Sequence, residues 1–297
     1  MGFTSWDDFI NQTTVNKKIG QSMFNKTVYT SATSVAGRWH ECLSQPGTGG
    51  QMTLTGTAGT GIVMNKSSNG ALPFGADVSG TATKHLINLA VNTPATTLAP
   101  AWVLLTDIIH IYPSCVLSGT PSILSNHPVW TGTGDTRMTN AEGVMCSLVV
   151  TTATTAAGTI LPNYTDTGGL TQAAARAMCA PIAATPMGCL YGATGTAATV
   201  GAPFMELAAG DTGVKQINSY TIPVAGTSGV GCFILHRPIA MVPLALANLV
   251  GERDFASGVP LFPRIYDDAC IGMFVQLGGA MTAGNLIIGS ANFAWGG

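Results

Sequence analysis

The chain has 297 residues, of which 9% are charged and 46% hydrophobic, with 37 glycines and a formal net charge of −2. An ordinary soluble domain carries about 25% charged residues, so this surface must be built from Thr, Ser, Asn, Gly and Ala or be covered by partners. A single cationic doublet, Lys17-Lys18, excludes the clustered Lys and Arg that nucleic acid or an anionic membrane surface requires.

The opening Met1–Asp8 has neither a basic n-region nor an apolar h-region, so no signal peptide is expected. Thr4–Asn11 predicts one short helix. Ser5 can cap it, Asp7 and Asp8 suit the positive end of its dipole, and Trp6, Phe9 and Ile10 share a face. From there to Glu41 the chain is polar and reads as an N-terminal arm, with Trp6, Asp7, Asp8, Phe9, Lys17 and Lys18 as candidate contact residues.

Residues 42–297 have the grammar of β structure, short apolar runs separated by Gly, Thr, Pro and Asn. The expected strands are Gln51–Thr57, Gly61–Met64, His85–Val91, Trp102–Ile111, Val144–Thr152, Tyr220–Val224, Val230–His236, Cys270–Leu277 and Asn285–Ala294. Asn163–Gly169 reads as a strand running into a turn, whereas Gln172–Cys179 has helix propensity and is open to either reading. Leu244–Val250 predicts a second short helix. The most apolar segment, Ala101–Tyr112, is interrupted by Asp107 and His110 and is too short to span a membrane as a helix. An outer-membrane barrel would need aromatic girdles, and aromatics are 7%. The fold class expected is all-β, a sandwich or jelly-roll-like body behind a short helix and arm. It forms one domain over 42–297 or two packed sandwiches joined near 131–140.

Chemical motifs are scarce. Gly226–Val230 fails as a nucleophile elbow at its last position, and the Gly56–Gly61 cluster lacks the lysine of a phosphate loop. The five histidines are isolated, and the seven cysteines are odd in number and contain no CxxC, so neither a metal site nor a disulfide framework is expected. Disulfides between subunits are the alternative use of these thiols. One charged cluster stands out: Glu252, Arg253, Asp254, Arg264, Asp267 and Asp268, with Tyr266 among them. As chemistry it would be an acid/base pair or a calcium site. As structure, Arg253 and Arg264 would pair with these acids and lock the Gly258–Pro263 crossing against the sheet or a neighbouring subunit.

Leu207–Lys215 and Leu235–Leu244, with FTSWDDFINQTTVNK at the start, Gly37-Arg38-Trp39, Gly251–Asp254, Pro263–Asp267 and Ala294-Trp295-Gly296, resemble virion structural proteins of tailed bacteriophages. The resemblance spans the chain and implies membership of a phage particle assembled in the host cytoplasm. It brings no catalytic motif. The long spine helix of the usual tailed-phage coat is missing from the pattern, which favours a decoration or cement protein. Such a protein would bind the major capsid protein and copies of itself, typically as a homotrimer, without cofactor, nucleic acid, membrane or small-molecule substrate. A tail or head-fibre component is the first alternative, and a receptor- or carbohydrate-binding virion protein the second.

Overall fold

The computed structural model describes residues 3–28, 36–78, 80–121, 123–133, 136–179, 187–192, 203–224, 228–256, 262–280 and 284–296. Helix α1 (Trp6–Ile10) continues into a π-helical turn (Asn11–Val15) and is followed by β1 (Ile19–Val28), β2 (Trp39–Glu41) and β3 (Ile62–Val63). Next come β4 (Thr83–Asn92), β5 (Ala101–Val116), β6 (Met145–Thr152), β7 (Thr159–Asp166), β8 (Thr171–Ala173) and β9 (Met178–Cys179). The last third holds β10 (Val214–Val224), β11 (Val230–Leu244), β12 (Gly251–Asp254), β13 (Arg264–Ile265), β14 (Ile271–Gln276) and β15 (Asn285–Gly296).

These strands form an all-β sandwich of three antiparallel sheets. The central sheet runs β2-β14-β5-β11-β6, with β3 also on β5. A second runs β1-β15-β4-β12 with β13 on β4, and a third runs β10-β7-β8 with β9 on β7. Strand β5 shows how the layers stack, because alternate side chains point to opposite faces. Ala101, Val103 and Leu105 enter a first core shared with β4 and β15. Further along the strand, Ile109, Tyr112 and Cys115 enter a second core with Tyr164 and Ile217 of the third sheet. The intervening Leu104, Ile108 and Ile111 face a third core, closed by Leu43, Met52, Leu54 and Met64. The two smaller sheets therefore cover opposite ends of one face of the central sheet.

The structure departs from the sequence pattern in four places. Ile19–Val28, within the expected arm, is a ten-residue strand paired in unbroken register with β15. Ser22, Phe24, Lys26 and Val28 are buried and alternate with exposed Gln21, Met23 and Asn25, so polar and apolar residues fall on both faces of this half-buried strand. Gln51–Thr57, expected as a strand, belongs to none; Met52 and Leu54 still serve the third core. Leu244–Val250 is the end of β11 and a turn, with Asn248 at φ 59°. Gln172–Cys179 supplies β8 and β9, where pairing with β7 overrides the helix propensity of its alanines. Gly258–Leu261 of the Gly258–Pro263 crossing lie outside the described residues.

In the β1–β15 pair two glycines have a packing reason. Phe24 lies opposite Gly289 and Phe293 opposite Gly20, and a Cβ on either glycine would be driven into the facing ring. Each ring thus covers the bare backbone across from it. Gly289→Val is expected to lower unfolding free energy by about 1–3 kcal/mol through overpacking, read as a shifted urea midpoint at constant m-value. An unchanged midpoint would contradict this packing.

Candidate functional site: a buried charge network between two cores

Asp107 sits on β5 between Leu105 of the first core and Ile109 of the second. The β5–β11 register shifts on both sides of it, between Leu235 and His236 and between Pro238 and Ala240. Such irregularities re-aim side chains, and here they place a carboxylate at the seam between the first and second cores. Asp107 is 3% exposed. Burial pushes its carboxyl up to about 6, against the pull of Arg137 and Arg237.

Arg137 fills the seam. It is 2% exposed, its Nε is 3.5 Å from Asp107 Oδ2, and Nη2 donates to the carbonyls of Met64 at 2.6 Å and Ile108 at 2.9 Å. Nη1 donates to the carbonyl of Asp268 and lies 3.9 Å from its carboxylate. Asp107 Oδ1 accepts the Cys270 amide at 3.0 Å. One planar guanidinium therefore ties β5 to the 64–66 and 268–270 segments, a fork that a lysine cannot reproduce. Arg237 braces the loop that carries Arg137, donating to the carbonyls of Arg137 at 3.3 Å and Asn140 at 3.0 Å.

The charged cluster from Glu252 to Asp268 does not gather into one site. Asp267 pairs with buried Lys84 at 3.3 Å and accepts the Val78 amide at 3.1 Å, while Asp268 belongs to Arg137. The cations that hold these two acids thus come from distant parts of the chain. Arg264 stacks on Tyr266, its guanidinium carbon 4.2 Å from the ring centroid, with Arg237 at 5.9 Å from the same ring. Arg253 lies over Phe255 and reaches the Met241 carbonyl at 3.4 Å. Glu252 accepts from Asn88 on the outer face of the second sheet. Beside the network run two grooves of about 400 Å³ and 620 Å³ that share Thr136, Arg264 and Tyr266.

The N-terminal segment folds onto its own body. Ser5 Oγ accepts the Asp8 amide at 3.0 Å, the expected cap. Asp8 receives Thr4 N and Gln12 Nε2, each at 3.0 Å, and these bonds, the Thr4 amide first, hold its carboxyl below the usual range. Phe9 stacks on Phe262 at 5.4 Å, Phe3 meets Phe9 at 5.0 Å and His85 at 5.9 Å, and Trp6 meets Phe262 at 6.0 Å. Asp7 is exposed. Lys17 takes a left-handed turn (φ 52°) into β1, and the Lys18 carbonyl accepts Trp295 N at 3.1 Å.

A second polar constellation is serine-protease-like only in composition. Ser147 Oγ is 2.9 Å from His236 Nε2, and Thr106 Oγ1 is 2.8 Å from Nδ1. Ser147 also donates to the Pro203 carbonyl at 2.5 Å, so its proton is committed and His236 Nε2–H is the donor toward it. That polarity is the reverse of nucleophile activation. All three side chains are buried, and burial drives His236 down to about 3. The seven cysteines are free and buried, with burial raising thiols such as Cys115 and Cys270 to about 12. Among the described residues no group of His, Cys, Asp and Glu could hold a metal ion, and no helix is long and apolar enough to cross a membrane.

No family model matches the chain, and no curated protein matches it. Among solved structures it is similar to the VP2 subviral particle of infectious bursal disease virus, with 8% identity, 96% of this chain and 85% of that chain covered, and a TM-score of 0.17. The Gt strain of the same virus gives 9% identity, 93% and 78% coverage and a TM-score of 0.16. Similarity at that level carries no weight for fold or function.

Truncating one partner of a buried ion pair strands the other, so Arg137→Ala is expected to cost about 3–5 kcal/mol. Arg253→Ala, at an exposed site, should stay within about 0.5 kcal/mol. Equal effects in urea titrations would remove the network from its central place. A second outcome concerns acid. His110 and His236 are buried, and burial lowers them to about 4 and about 3. Each contributes stability that is complete above the unfolded value near 6.5 and lost as pH falls toward its folded value. Asp107 and Glu41, both raised by burial, act in the opposite direction. The comparison is therefore between variant and parent. Between pH 6 and 4.5, His110→Gln should reduce the slope of stability against pH by about 1.4 kcal/mol per unit; an unchanged slope contradicts the burial of a neutral imidazole.

Proposed function

We propose that this chain is a non-enzymatic structural component of a tailed-phage virion. In this reading it is a decoration or cement protein that binds the major capsid protein and packs against copies of itself, with a homotrimer as the working unit. The observation that carries the reading is the outer face of the second sheet. Its outward residues on β1, β15 and β4 include Ile19, Gln21, Met23, Asn25, Ile288, Ser290, Asn292, Asn88, Ala90 and Asn92, and none of these is charged. Met23 is 71% exposed, Ile19 56% and Ile288 42%. Charge enters this face at its rim, with Glu252 and Asp254 on β12. A neutral centre with a charged rim is the anatomy of a protein–protein contact, and covering it desolvates almost no charge.

The polar clusters inside the chain support the same reading. Asp267 and Asp268 are each engaged by a cation, and the Ser147–His236 pair has the wrong polarity for catalysis. The resemblance of the sequence segments to phage virion proteins points to where such packing would be used. Light scattering of the full chain should give a mass well above 30.4 kDa. Met23→Glu, a charge placed at the most exposed apolar residue of the face, should raise the dissociation constant about tenfold or more without moving the urea midpoint. A clean monomer for the parent, or unchanged association of Met23→Glu, would overturn the use of this face.

A further inference from the structure

A different set of buried groups has no part in the seam. Lys26 points inward from β1 and is 1% exposed. Its Nζ donates to the main-chain carbonyls of Gln45 at 3.2 Å and Gly50 at 2.6 Å. Glu41, at the end of β2, is also 1% exposed, and its carboxylate accepts the Ser44 amide at 2.7 Å and the Ser44 hydroxyl. The Gln45 side-chain amide donates to Glu41 Oε1 at 3.4 Å and to Ser44 Oγ at 3.0 Å. An amine, an acid and a primary amide thus meet in one buried network. Glu41, Ser44 and Gln45 line a pocket of about 200 Å³.

We propose that Lys26 and Gln45 join in an intramolecular isopeptide bond, with Glu41 as the proton carrier. The Lys26 Nζ lone pair attacks Gln45 Cδ, and the new C–N bond forms as the carbonyl π pair moves onto oxygen. Protonated Glu41 delivers its proton to Nε2 while the Cδ–Nε2 bond breaks, and the Nζ proton passes to the Glu41 carboxylate. An amine and a primary amide become a secondary amide and ammonia, with no oxidant or further reactant. Ammonia leaves through the pocket that Gln45 and Glu41 line.

The surroundings favour the forms this step needs. Burial lowers the Lys26 amine and raises the Glu41 carboxyl, so both move toward their neutral states. The amine is already held against the residue it would attack. The attack requires Nζ to turn from the main-chain carbonyl of Gln45 to its side-chain carbonyl. The product would staple β1 of the second sheet to the turn that follows β2 of the central sheet, across the first core. Such a staple suits a particle component that must resist force and heat with few surface ion pairs. This inference does not depend on the proposed function.

Intact mass spectrometry of the folded full chain tests it. The mass should fall about 17 Da below the sequence mass through loss of ammonia, and digestion should yield a branched peptide joining Lys26 to Gln45. Lys26→Arg and Glu41→Gln should each show the full sequence mass. If the parent yields Lys26 and Gln45 in separate, unmodified peptides, the bond does not exist. If Glu41→Gln keeps the branched peptide, the bond stands and Glu41 is not its proton carrier.

Discussion

The guanidinium of Arg137 is the constraint on which the arrangement of layers depends. Two sheets cover opposite ends of one face of the central sheet, and at the seam between their cores an apolar filler would leave main-chain carbonyls without a donor. Arg137 does so with one rigid group, serving the carbonyls of Met64, Ile108 and Asp268 and the carboxylate of Asp107. Burying that charge is costly, and the pairing with Asp107 returns part of the cost. What the network secures is specificity. Residues 64, 108, 137 and 268 are far apart in the chain, and only one register of β5 brings their groups within reach of the same fork.

The scarcity of charge elsewhere gives these few ions their weight. With 9% charged residues, the chain spends Asp107, Arg137, Lys84 and Asp267 on its interior or the rim of its seam and leaves the outer face of β1, β15 and β4 uncharged. A monomer that lives alone in water usually does the opposite. The neutral outer face of β1, β15 and β4 and the ion-bearing seam are two consequences of one allocation, in which the few buried charges fix the fold and that face is left uncharged. The aromatic cluster of Phe3, Phe9, Phe262 and His85 adds to this by holding the N-terminal helix on the body.

Much of the fold was legible in the residues. Strands β4, β5, β6, β11, β14 and β15 follow directly from apolar runs between turn formers, and the Ser5 cap was readable from its hydroxyl and the acids after it. Strand β1 was not, because its inward Ser22, Phe24, Lys26 and Val28 include two polar side chains and break the alternation that marks a half-buried strand. The charge cluster at 252–268 was visible as a concentration, but its partners were not. Lys84 and Arg137 lie more than a hundred residues away, and no local spacing predicts such pairing. One signal was available: Asp107 in the middle of the most apolar run had to find a cation. Arg137, in the segment marked as a possible junction, was the residue to look for.

A chain that works by stoichiometric packing on a shell must be present in the particle in numbers set by that shell. Copies per virion, counted by quantitative mass spectrometry of purified particles, therefore test the central claim most directly. The account predicts a copy number comparable with that of the coat protein. A handful of copies confined to the tail, or none, would contradict it.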